Sequence, residues 1–410
     1  MTEPFAEEGE IADRMRGSNQ SGLRAHNERA VLSLIRRNGV LAKADIARRT
    51  GLSPQTASVI MRELEKQALV LRDAPRRGRV GQPSIPMRLN PDGAFSLGLK
   101  IGRRSVELVL MDFVGAIRAR HRLTYPLPKL DEIRRFVVEA SAELRGTLDA
   151  TGRARIAGLG VAMPYAIWEW GEEIGAPEGE MDEWRGLDVT AELAALTGYA
   201  VQLANDATAA CAAEHVFGST KSTDYVYFFL GTFIGGGVVI DGDLVVGRNG
   251  NAGALGSMPV PRPAGPDGAH AGYQQLIHSA SIHLLEQKMR AVGRNPRDLW
   301  RDDGSWPELG PLLDDWLETA AFGLAHAIVA AISVYDFECA VIDGSIPISV
   351  RSRLVEATQA KLVEIRREGL SPIRVQPGTI GAGAREIGSA SLPFFARFLL
   401  DHRVLFTDRA

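Results

Sequence analysis

Apolar residues at helical spacing predict three short helices near the N-terminus of the chain. The helices are predicted over residues 28–38, 43–50 and 55–67, with Gly39 as the stop of the first and Ser53 as the N-cap of the third. Val31, Leu34 and Ile35 are predicted to lie on one stripe of the first helix. The small core of the three helices is expected to consist of Ile46, Ala47, Leu52, Val59, Ile60 and Leu64.

From residue 91 onward, the pattern changes to strands that alternate with helices. After a short strand at 69–71, the predicted strands lie at 95–99, 106–112, 117–120, 156–161, 201–203 and 340–342, with a hairpin over 225–246. The predicted helices lie at 131–150, 188–197, 207–216, 273–334 and 349–368, with a C-terminal helix after Gly383. This alternation favours an α/β fold with two linked lobes.

The composition is that of an ordinary globular protein. The 410 residues are 45% hydrophobic and 24% charged, which excludes a disordered or fibrous chain. A chain of this length suggests roughly two to four domains. Cys211 and Cys339 stand alone in the sequence, so neither a disulfide framework nor a thiolate zinc site is expected.

Neither membrane insertion nor export is expected from the sequence. The longest uncharged runs, 319–335 and 225–240, are shorter than the roughly 18 to 20 residues that span a bilayer, and both are interpreted as buried core. The N-terminus is acidic and lacks the basic start and apolar centre of a signal peptide. The chain is therefore expected in the reducing cytoplasm, with no membrane partner.

The formal net charge of −3 conceals an uneven distribution. Residues 14–90 carry 16 Lys and Arg against 5 Asp and Glu, whereas residues 1–13 carry five acidic residues and no basic one. Residues 91–410 hold 31 basic and 40 acidic residues. A basic module on an acidic body favours an anionic polymer as its partner, because clustered Lys and Arg displace counterions from phosphate backbones. A solvated run of charge is the alternative.

The three predicted helices have the spacing of a helix-turn-helix, whose third helix enters the major groove of DNA. An ordinary helical hairpin is the alternative. Side chains at the N-terminal end of the third helix are predicted to lie near base edges, and nearby arginines are predicted to contact phosphates. The predicted DNA contacts are Ser53, with Gln55, Thr56 and Ser58 near base edges and Arg48, Arg49 and Arg62 at the phosphates.

The segment that follows the predicted helices is basic and rich in glycine. It contains Arg77 and Arg79, which are separated by Gly78. Arginines spaced in this way suit an extended arm that lies in a narrow minor groove, so both are predicted DNA contacts. A plain flexible linker over the same residues is the alternative.

Two glycine-rich stretches of the body resemble the signature of the ROK family. Residues 230–244 read LGTFIGGGVVIDGDL and residues 250–256 read GNAGALG. The family comprises repressors and sugar kinases built on the actin-like ATPase fold, and its repressors carry an N-terminal helix-turn-helix. The resemblance extends from about Leu23 to the end of the chain. It implies a winged helix-turn-helix followed by a two-lobed α/β body with the actin-like ATPase, or ribonuclease H-like, architecture.

The resemblance and the element pattern together predict the domain organisation. A flexible acidic segment covers 1–22, a winged helix-turn-helix domain covers 23–74, and a linker or minor-groove arm covers 75–90. The first lobe of the body is predicted over 91–204 and is completed by a C-terminal helix at 384–410. The second lobe is predicted over 205–383.

Several residues depart from what the resemblance implies for the sugar kinases. The kinases carry an acidic residue in their phosphate loop, and the matching loop here begins with Lys100 and contains Arg103 and Arg104. Their sugar-binding Glu and zinc-binding His are matched by Ala254 and Ser257. The chain is therefore expected to have no kinase activity and to use no metal or other cofactor.

The resemblance also implies a small-molecule site in the body. Asp206 matches the family's catalytic base and Asn205 a neighbouring sugar contact, although both residue types are also preferred at helix N-termini. Trp168 is a candidate for stacking on a sugar ring, with core packing as the alternative. Further candidate effector contacts are Gly235, Gly236, Asn251, Glu178 and Glu180.

These features predict a bacterial-type transcriptional regulator, a repressor that binds a double-stranded operator as a homodimer or dimer of dimers. A sugar or sugar-like effector in the body would change its affinity for the operator. Two alternatives stay open. In the first, the protein is a sugar kinase that also binds DNA. In the second, it is a DNA-binding regulator that a protein partner controls.

Overall fold

A computed structural model describes residues 20–74, 85–169, 171, 175–262, 272–301 and 305–399. Most of the predicted acidic segment and of the predicted arm lie outside these residues, and so do Arg77 and Arg79. The chain divides after Asn90 into two compact units, of which the first also includes Phe398 and Leu399. The second unit is called the body below.

The first unit is built from three helices and a small antiparallel sheet. In chain order its elements are α1 (Gln20–Asn38), β1 (Val40–Ala42), α2 (Lys43–Thr50), α3 (Pro54–Lys66), β2 (Val70–Arg72) and β3 (Pro86–Leu89). The strand order is β1-β3-β2, so β2 and β3 form the hairpin of a winged helix. Helix α2 has the bounds that the sequence predicts, whereas α1 begins eight residues before the predicted start.

The core of the first unit differs in part from the predicted one. Four of the six predicted core residues are buried, namely Ile46, Ala47, Ile60 and Leu64, and so are Val31 and Ile35 of the predicted stripe on the first helix. Leu34 and Leu52 are half-buried, and the prediction for Val59 was wrong because this residue is 51% exposed. Ala57 is buried in its place. Val59 follows Ala57 by two residues, or about 200° around the helix, and therefore lies on the opposite face.

The first sheet of the body has the strand order β6-β5-β4-β7-β8. The elements of this part are, in chain order, β4 (Phe95–Ile101), β5 (Ser105–Asp112), β6 (Ile117–Thr124), α4 (Leu130–Gly146), α5 (Ala150–Ala154), β7 (Ile156–Met163), α6 (Val189–Thr197) and β8 (Val201–Asn205). Strands β4, β7 and β8 are parallel, while β5 and β6 continue the sheet antiparallel. Helices α4 and α6 cover one face of this sheet over an apolar core.

The second sheet of the body has the strand order β11-β10-β9-β14-β15. The elements of this part are α7 (Asp206–Phe217), β9 (Tyr225–Leu230), β10 (Gly235–Ile240), β11 (Asp243–Val245), β12 (Pro259–Pro261), β13 (Tyr273–Gln275), α8 (Ile277–Ala280), α9 (Ile282–Ala291), α10 (Pro311–Ile332), β14 (Cys339–Gly344), α11 (Ile348–Glu364), β15 (Arg374–Pro377) and α12 (Ala384–Arg397). Strands β9, β14 and β15 are parallel.

Helix α12 packs closely against the first sheet. A Cβ atom at Gly98 on β4 would lie 2.6 Å from the Cβ of Ala390, and one at Gly160 on β7 would lie 1.8 Å from the carbonyl oxygen of Ser389. Only glycine leaves room for the helix backbone at these two strand positions. The C-terminal helix therefore covers the face of the first sheet opposite α4, and it also contacts α7.

The prediction of one long helix over 273–334 was wrong. The chain forms β13, α8 and α9 in this stretch before α10 begins at Pro311. Gly293 and Gly310 have φ values of 73° and 52°, which a continuous helix does not accommodate. Apolar spacing continues on both sides of these glycines, so it did not reveal the breaks.

Helix α10 is long and apolar enough by composition to cross a bilayer. Eleven of its 22 residues are buried in the core of the body. Trp316 is among them, and its indole N–H donates to the carbonyl oxygen of Ser281 at 3.0 Å. This packing agrees with the interpretation of the uncharged run over 319–335 as buried core.

Candidate functional site

The turn between α2 and α3 depends on Gly51 and Ser53. Gly51 has a φ of 70°, a left-handed conformation that glycine adopts without steric cost. The Ser53 hydroxyl accepts a hydrogen bond from the backbone N–H of Thr56 at 3.1 Å, and Pro54 occupies the first helical position. Ser53 therefore caps α3 and fixes the start of the helix whose side chains are predicted to read bases.

The outer face of α3 carries most of the predicted base contacts. Gln55 and Thr56 are exposed, and Ser58 is half-buried. Val59 lies one turn beyond Gln55 and is exposed, and Arg62 continues the same stripe. An apolar side chain between polar ones would suit a thymine methyl group in the major groove. Val59 is not among the DNA contacts predicted from the sequence, because its hydrophobicity predicts a core position.

The arginines that are predicted to contact phosphates lie on the surface of the first unit. Arg48 Nη2 lies 2.6 Å from Asp45 Oδ1, and Arg49 Nη1 donates to Asn38 Oδ1 at 2.6 Å. Arg62 is exposed. Exposed contacts of this kind are weak in water, and a guanidinium has five donors, so these partners do not prevent phosphate binding.

In the body, parallel strands bring two predicted effector residues to the same sheet edge as the loop after β4. The strand register aligns Lys100 with Ala162 and Ala162 with Ala204. Asn205 and Asp206 follow Ala204 directly. Ligands of α/β sheets bind at the carboxyl ends of the strands, which is where these residues lie.

Asn205 and Asp206 each have partners within the protein. Asn205 Oδ1 accepts from the backbone N–H groups of Ala207 and Thr208 at 3.0 and 3.3 Å, so Asn205 is the N-cap of α7. Asp206 Oδ2 lies 3.3 Å from Nη1 of Arg385 on α12. The capping role that was the alternative for Asn205 is thus present. A sugar hydroxyl would have to share the Asp206 carboxylate with a guanidinium.

Gly235, which is predicted to contact the effector, and Gly237 allow β10 to pack against α7. A Cβ at Gly235 would lie 2.7 Å from the Cβ of Ala207, and one at Gly237 would lie 2.5 Å from the Cβ of Cys211. Two strand residues advance by about 6.6 Å and four helix residues by about 6.0 Å, so the two pairs are in register. A Cβ at Gly236 would meet a backbone carbonyl oxygen at 2.4 Å.

The other predicted effector residues lie on loops of the body. Trp168 is half-buried, and the guanidinium of Arg185 lies 5.9 Å from its ring centroid. Glu178 and Glu180 are exposed, and Glu180 forms an ion pair of 2.9 Å with the lysine that precedes α4. Asn251 is half-buried in the loop between β11 and β12. Their contact with an effector stays a prediction.

A cavity of about 660 Å³ lies in the body beside the loop after β4. Its described lining contains nine Lys and Arg against three Glu, and we call it the basic cavity. The first sheet and its loops contribute Lys100, Arg103, Arg104, Arg120 and Arg122. The segment around α9 and helix α12 contribute Arg290, Arg297, Arg301 and Arg385. The predicted effector residues are not among the described residues of this lining.

A buried group of charges forms one wall of the basic cavity. Lys100 Nζ lies 2.8 Å from Ser105 Oγ and 3.5 Å from Glu107 Oε1. Burial lowers the pKa of Lys100, and it raises the pKa of Glu386 to about 8, with a further rise from the hydrogen bond to Glu107. Burial alone would also raise the pKa of Glu107, but the Glu386 proton and the Lys100 charge hold it below the usual range. A neutral Glu386 therefore donates to an ionised Glu107.

These residues do not fit the magnesium ion that a kinase uses to hold nucleotide phosphates. Glu107, a carboxylate beside the loop after β4, is already engaged by Lys100 and Glu386. Within the part of the chain that the structure describes, no three His, Cys, Asp or Glu side chains cluster in a way that could hold a metal ion. The donor set favours direct recognition of anions by guanidinium groups.

Asp343, at the end of β14, is held by a buried network that the sequence analysis did not identify. Asp343 Oδ1 lies 2.8 Å from Nη1 of Arg351, and Oδ2 accepts from the Tyr227 hydroxyl at 3.1 Å and from the Gly381 backbone N–H at 3.0 Å. The network ties β14 to β9, α11 and the segment before α12. It links these elements at the end of the second sheet where β14 terminates.

Both units match models of known protein families. The ROK family model matches residues 96–392, and a model described as winged helix-turn-helix DNA-binding matches residues 24–67. The uncharacterized protein y4fQ of Sinorhizobium fredii is 26% identical over 382 residues, which cover 91% of either chain. The xylose repressor of Bacillus subtilis is 24% identical over 253 residues, which cover 59% of this chain and 62% of the repressor, less than two thirds of its length.

Solved structures share the fold. A ROK family transcriptional regulator, described as a homologue of the E. coli MLC protein, has a TM-score of 0.65 at 20% identity, covering 93% of this chain and 98% of its own. A ROK family glucokinase from Streptomyces griseus, in complex with glucose and AMPPNP, has a TM-score of 0.56 at 20% identity, covering 73% of this chain and 99% of its own. The chain therefore belongs to the ROK family and carries a winged helix-turn-helix at its N-terminal end.

Proposed function

We propose that this protein is a sequence-specific DNA-binding regulator, a repressor that acts in the cytoplasm. The observation that carries the proposal is the exposed polar stripe on α3, which begins at a capped helix N-terminus within a basic winged helix. Gln55, Thr56 and Ser58 would read bases, while Arg48, Arg49 and Arg62 would hold phosphates. The similarity to the xylose repressor supports this function.

We further propose that the body senses a sugar or sugar-like effector near Asn205 and Asp206. These residues lie at the carboxyl edge of the first sheet, where α/β folds bind ligands. A homodimer, or a dimer of dimers, would place pairs of α3 helices on a near-palindromic operator. The effector would alter operator affinity only if it binds one conformation of the protein more tightly than the other.

Phosphotransfer is not part of the proposed function. Asp206, which matches a catalytic base, is paired with Arg385, and Lys100 replaces the acidic residue of a kinase phosphate loop. The retained Asp206 and the shared fold with a glucokinase make kinase activity the competing function. Incubation of the full chain with sugars, ATP and magnesium distinguishes them, since the proposal expects no sugar phosphate to form.

The test of the proposed function is a gel shift of the full chain on its own upstream DNA, with an excess of unrelated duplex as competitor. We expect a complex that survives the competitor and that one member of a panel of sugars, sugar alcohols and amino sugars releases or strengthens. A complex that the competitor removes would contradict DNA reading. Retention of the specific complex with no response to any compound would contradict the proposed effector class.

A further inference from the structure

The basic cavity has the charge and the size of a binding site for a small anion with an organic part. Its described lining has nine Lys and Arg against three Glu, and one of these three, Glu386, is neutral. Its volume of about 660 Å³ falls in the range of small-molecule sites. Like charges that converge on one cavity repel one another, so an anionic ligand would relieve this repulsion.

The basic side chains come from elements on several sides of the cavity. Arg120 lies on β6, Arg104 lies in the turn between β4 and β5, and Arg297 follows α9. The pKa of Arg104 is lowered by burial, and the charges of Arg290 and Arg297 lower it further while Glu286 opposes them. The guanidinium groups therefore interact with one another across the cavity. Their planar donors match the oxygens of a phosphate group.

Arg385 provides an independent indication of a ligand. Its Nη1 lies 3.3 Å from Asp206 Oδ2 and its Nη2 lies 3.4 Å from Ser345 Oγ, both long for charge-assisted hydrogen bonds. Its Nε is buried and has no hydrogen-bond partner within the described residues. A buried donor without an acceptor is unfavourable, and a phosphate oxygen would supply the acceptor.

The acidic residues of the lining are engaged by the protein itself. Glu107 accepts from Glu386 and pairs with Lys100. Glu286 accepts from the Trp300 indole at 2.6 Å and from Arg290 at 2.9 Å. These carboxylates are therefore committed, and a phosphate in the cavity would be met by guanidinium groups rather than by a carboxylate-bound divalent cation.

We propose that the basic cavity binds a small organic phosphate directly, without a divalent metal ion. This site is separate from the proposed sugar contacts, and its occupation requires neither DNA nor an unphosphorylated sugar. Because Arg385 lines the cavity and also pairs with Asp206, a phosphate that binds Arg385 would compete with the Asp206 carboxylate for the same guanidinium. The cavity would thereby influence the proposed effector residues.

Calorimetric titration of the full chain tests the proposal at constant ionic strength and in the presence of EDTA. The probes are pyrophosphate, glucose 6-phosphate and ATP. Glucose is the uncharged control for glucose 6-phosphate. We expect saturable binding of at least one phosphate compound, and Arg120→Gln or Arg297→Gln should weaken it about tenfold, because each removes one charge-assisted contact from an exposed residue.

The control variant is Arg135→Gln, an exposed arginine of α4 outside the lining, which should bind the same compound as tightly as the wild type does. Three results would overturn the proposal. They are no saturable binding by any of the phosphates at millimolar concentration, equal weakening in the control and cavity variants, and binding that appears only when magnesium replaces EDTA. None of these results depends on whether the protein binds DNA.

Discussion

At the scale of single residues, the clearest result is that α3 separates buried apolar side chains from an exposed face that carries the predicted base contacts. Ala57, Ile60 and Leu64 face inward, while Gln55 and Val59 face outward. The sequence predicted the polar part of this division, because Gln55 follows directly on a cap and a proline. It could not place Val59, since hydrophobicity is the same signal for a core position and for an apolar contact with DNA.

Replacement of Gln55 by alanine should relax base preference. If Gln55 makes a paired contact with a base, the variant should lose about 1 to 3 kcal/mol of discrimination at one operator position and little affinity elsewhere. The measurement is a titration of the variant against operators that carry single base-pair changes. Gln67→Ala, at the far end of the same helix, is the matched control and should keep the wild-type preference. Unchanged discrimination in Gln55→Ala would show that this residue does not read the operator.

Replacement of Asp343 by alanine should destabilise the body strongly. The side chain is fully buried, and its removal leaves the Arg351 guanidinium without its counter-charge, which costs about 3 to 5 kcal/mol in comparable buried pairs. The free energy of unfolding, measured in urea, gives the loss. Asp314→Ala breaks an exposed pair with Arg353 at 2.6 Å and should cost less than about 1 kcal/mol. Equal losses in the two variants would contradict the role assigned to burial.

At the scale of elements, boundaries were predictable where a local signal marks them. Helix α2 ends at Thr50, where Gly51 follows with a left-handed φ, and its bounds match the prediction. Strand β15 was missed because its sequence, RVQP, has no apolar run and none of its residues is buried, so it forms through pairing with β14, which is distant in sequence. The glycine run of β10 was visible in the sequence, but its role in packing on α7 became clear only when the facing residues were known.

Alanine at Gly237 should disturb the packing of β10 on α7. The new Cβ would lie 2.5 Å from the Cβ of Cys211, so strand and helix would have to separate, at a cost of about 1 to 3 kcal/mol. Gly146→Ala is the control, because nothing lies within 4 Å of a Cβ at this helical position. The control should be neutral or stabilising by up to about 1 kcal/mol in urea unfolding. A stable Gly237→Ala variant would mean that the glycine is required for another reason.

At the scale of the whole molecule, the sequence predicted that a winged helix-turn-helix precedes a ROK body, and the matches to both family models confirm this order. The basic region coincides with the winged helix, and Lys100 lies at the carboxyl end of β4 beside the candidate site. The basic cavity could not be predicted, because Arg120, Arg297 and Arg385 are far apart in sequence and only the packed body brings them together.

Stability of the body should depend on the protonation of Glu386. The folded protein holds this proton up to about pH 8, whereas an unfolded chain releases it near the ordinary value of 4.5. The stabilisation is therefore fully present below about pH 4.5 and is lost as the pH rises through about 8, by at most about 1.4 kcal/mol per pH unit. Urea unfolding between pH 5 and 8 should show this slope in the wild type and a flatter one in Glu386→Gln. The same slope in both would contradict the assignment.

The central claim is that the basic winged helix reads a specific DNA sequence. The most direct measurement is the ratio of the dissociation constants of the full chain for its own upstream DNA and for a shuffled duplex of the same composition, at about 150 mM salt. We expect the shuffled duplex to bind at least about 1,000-fold more weakly. A ratio near one would contradict the account.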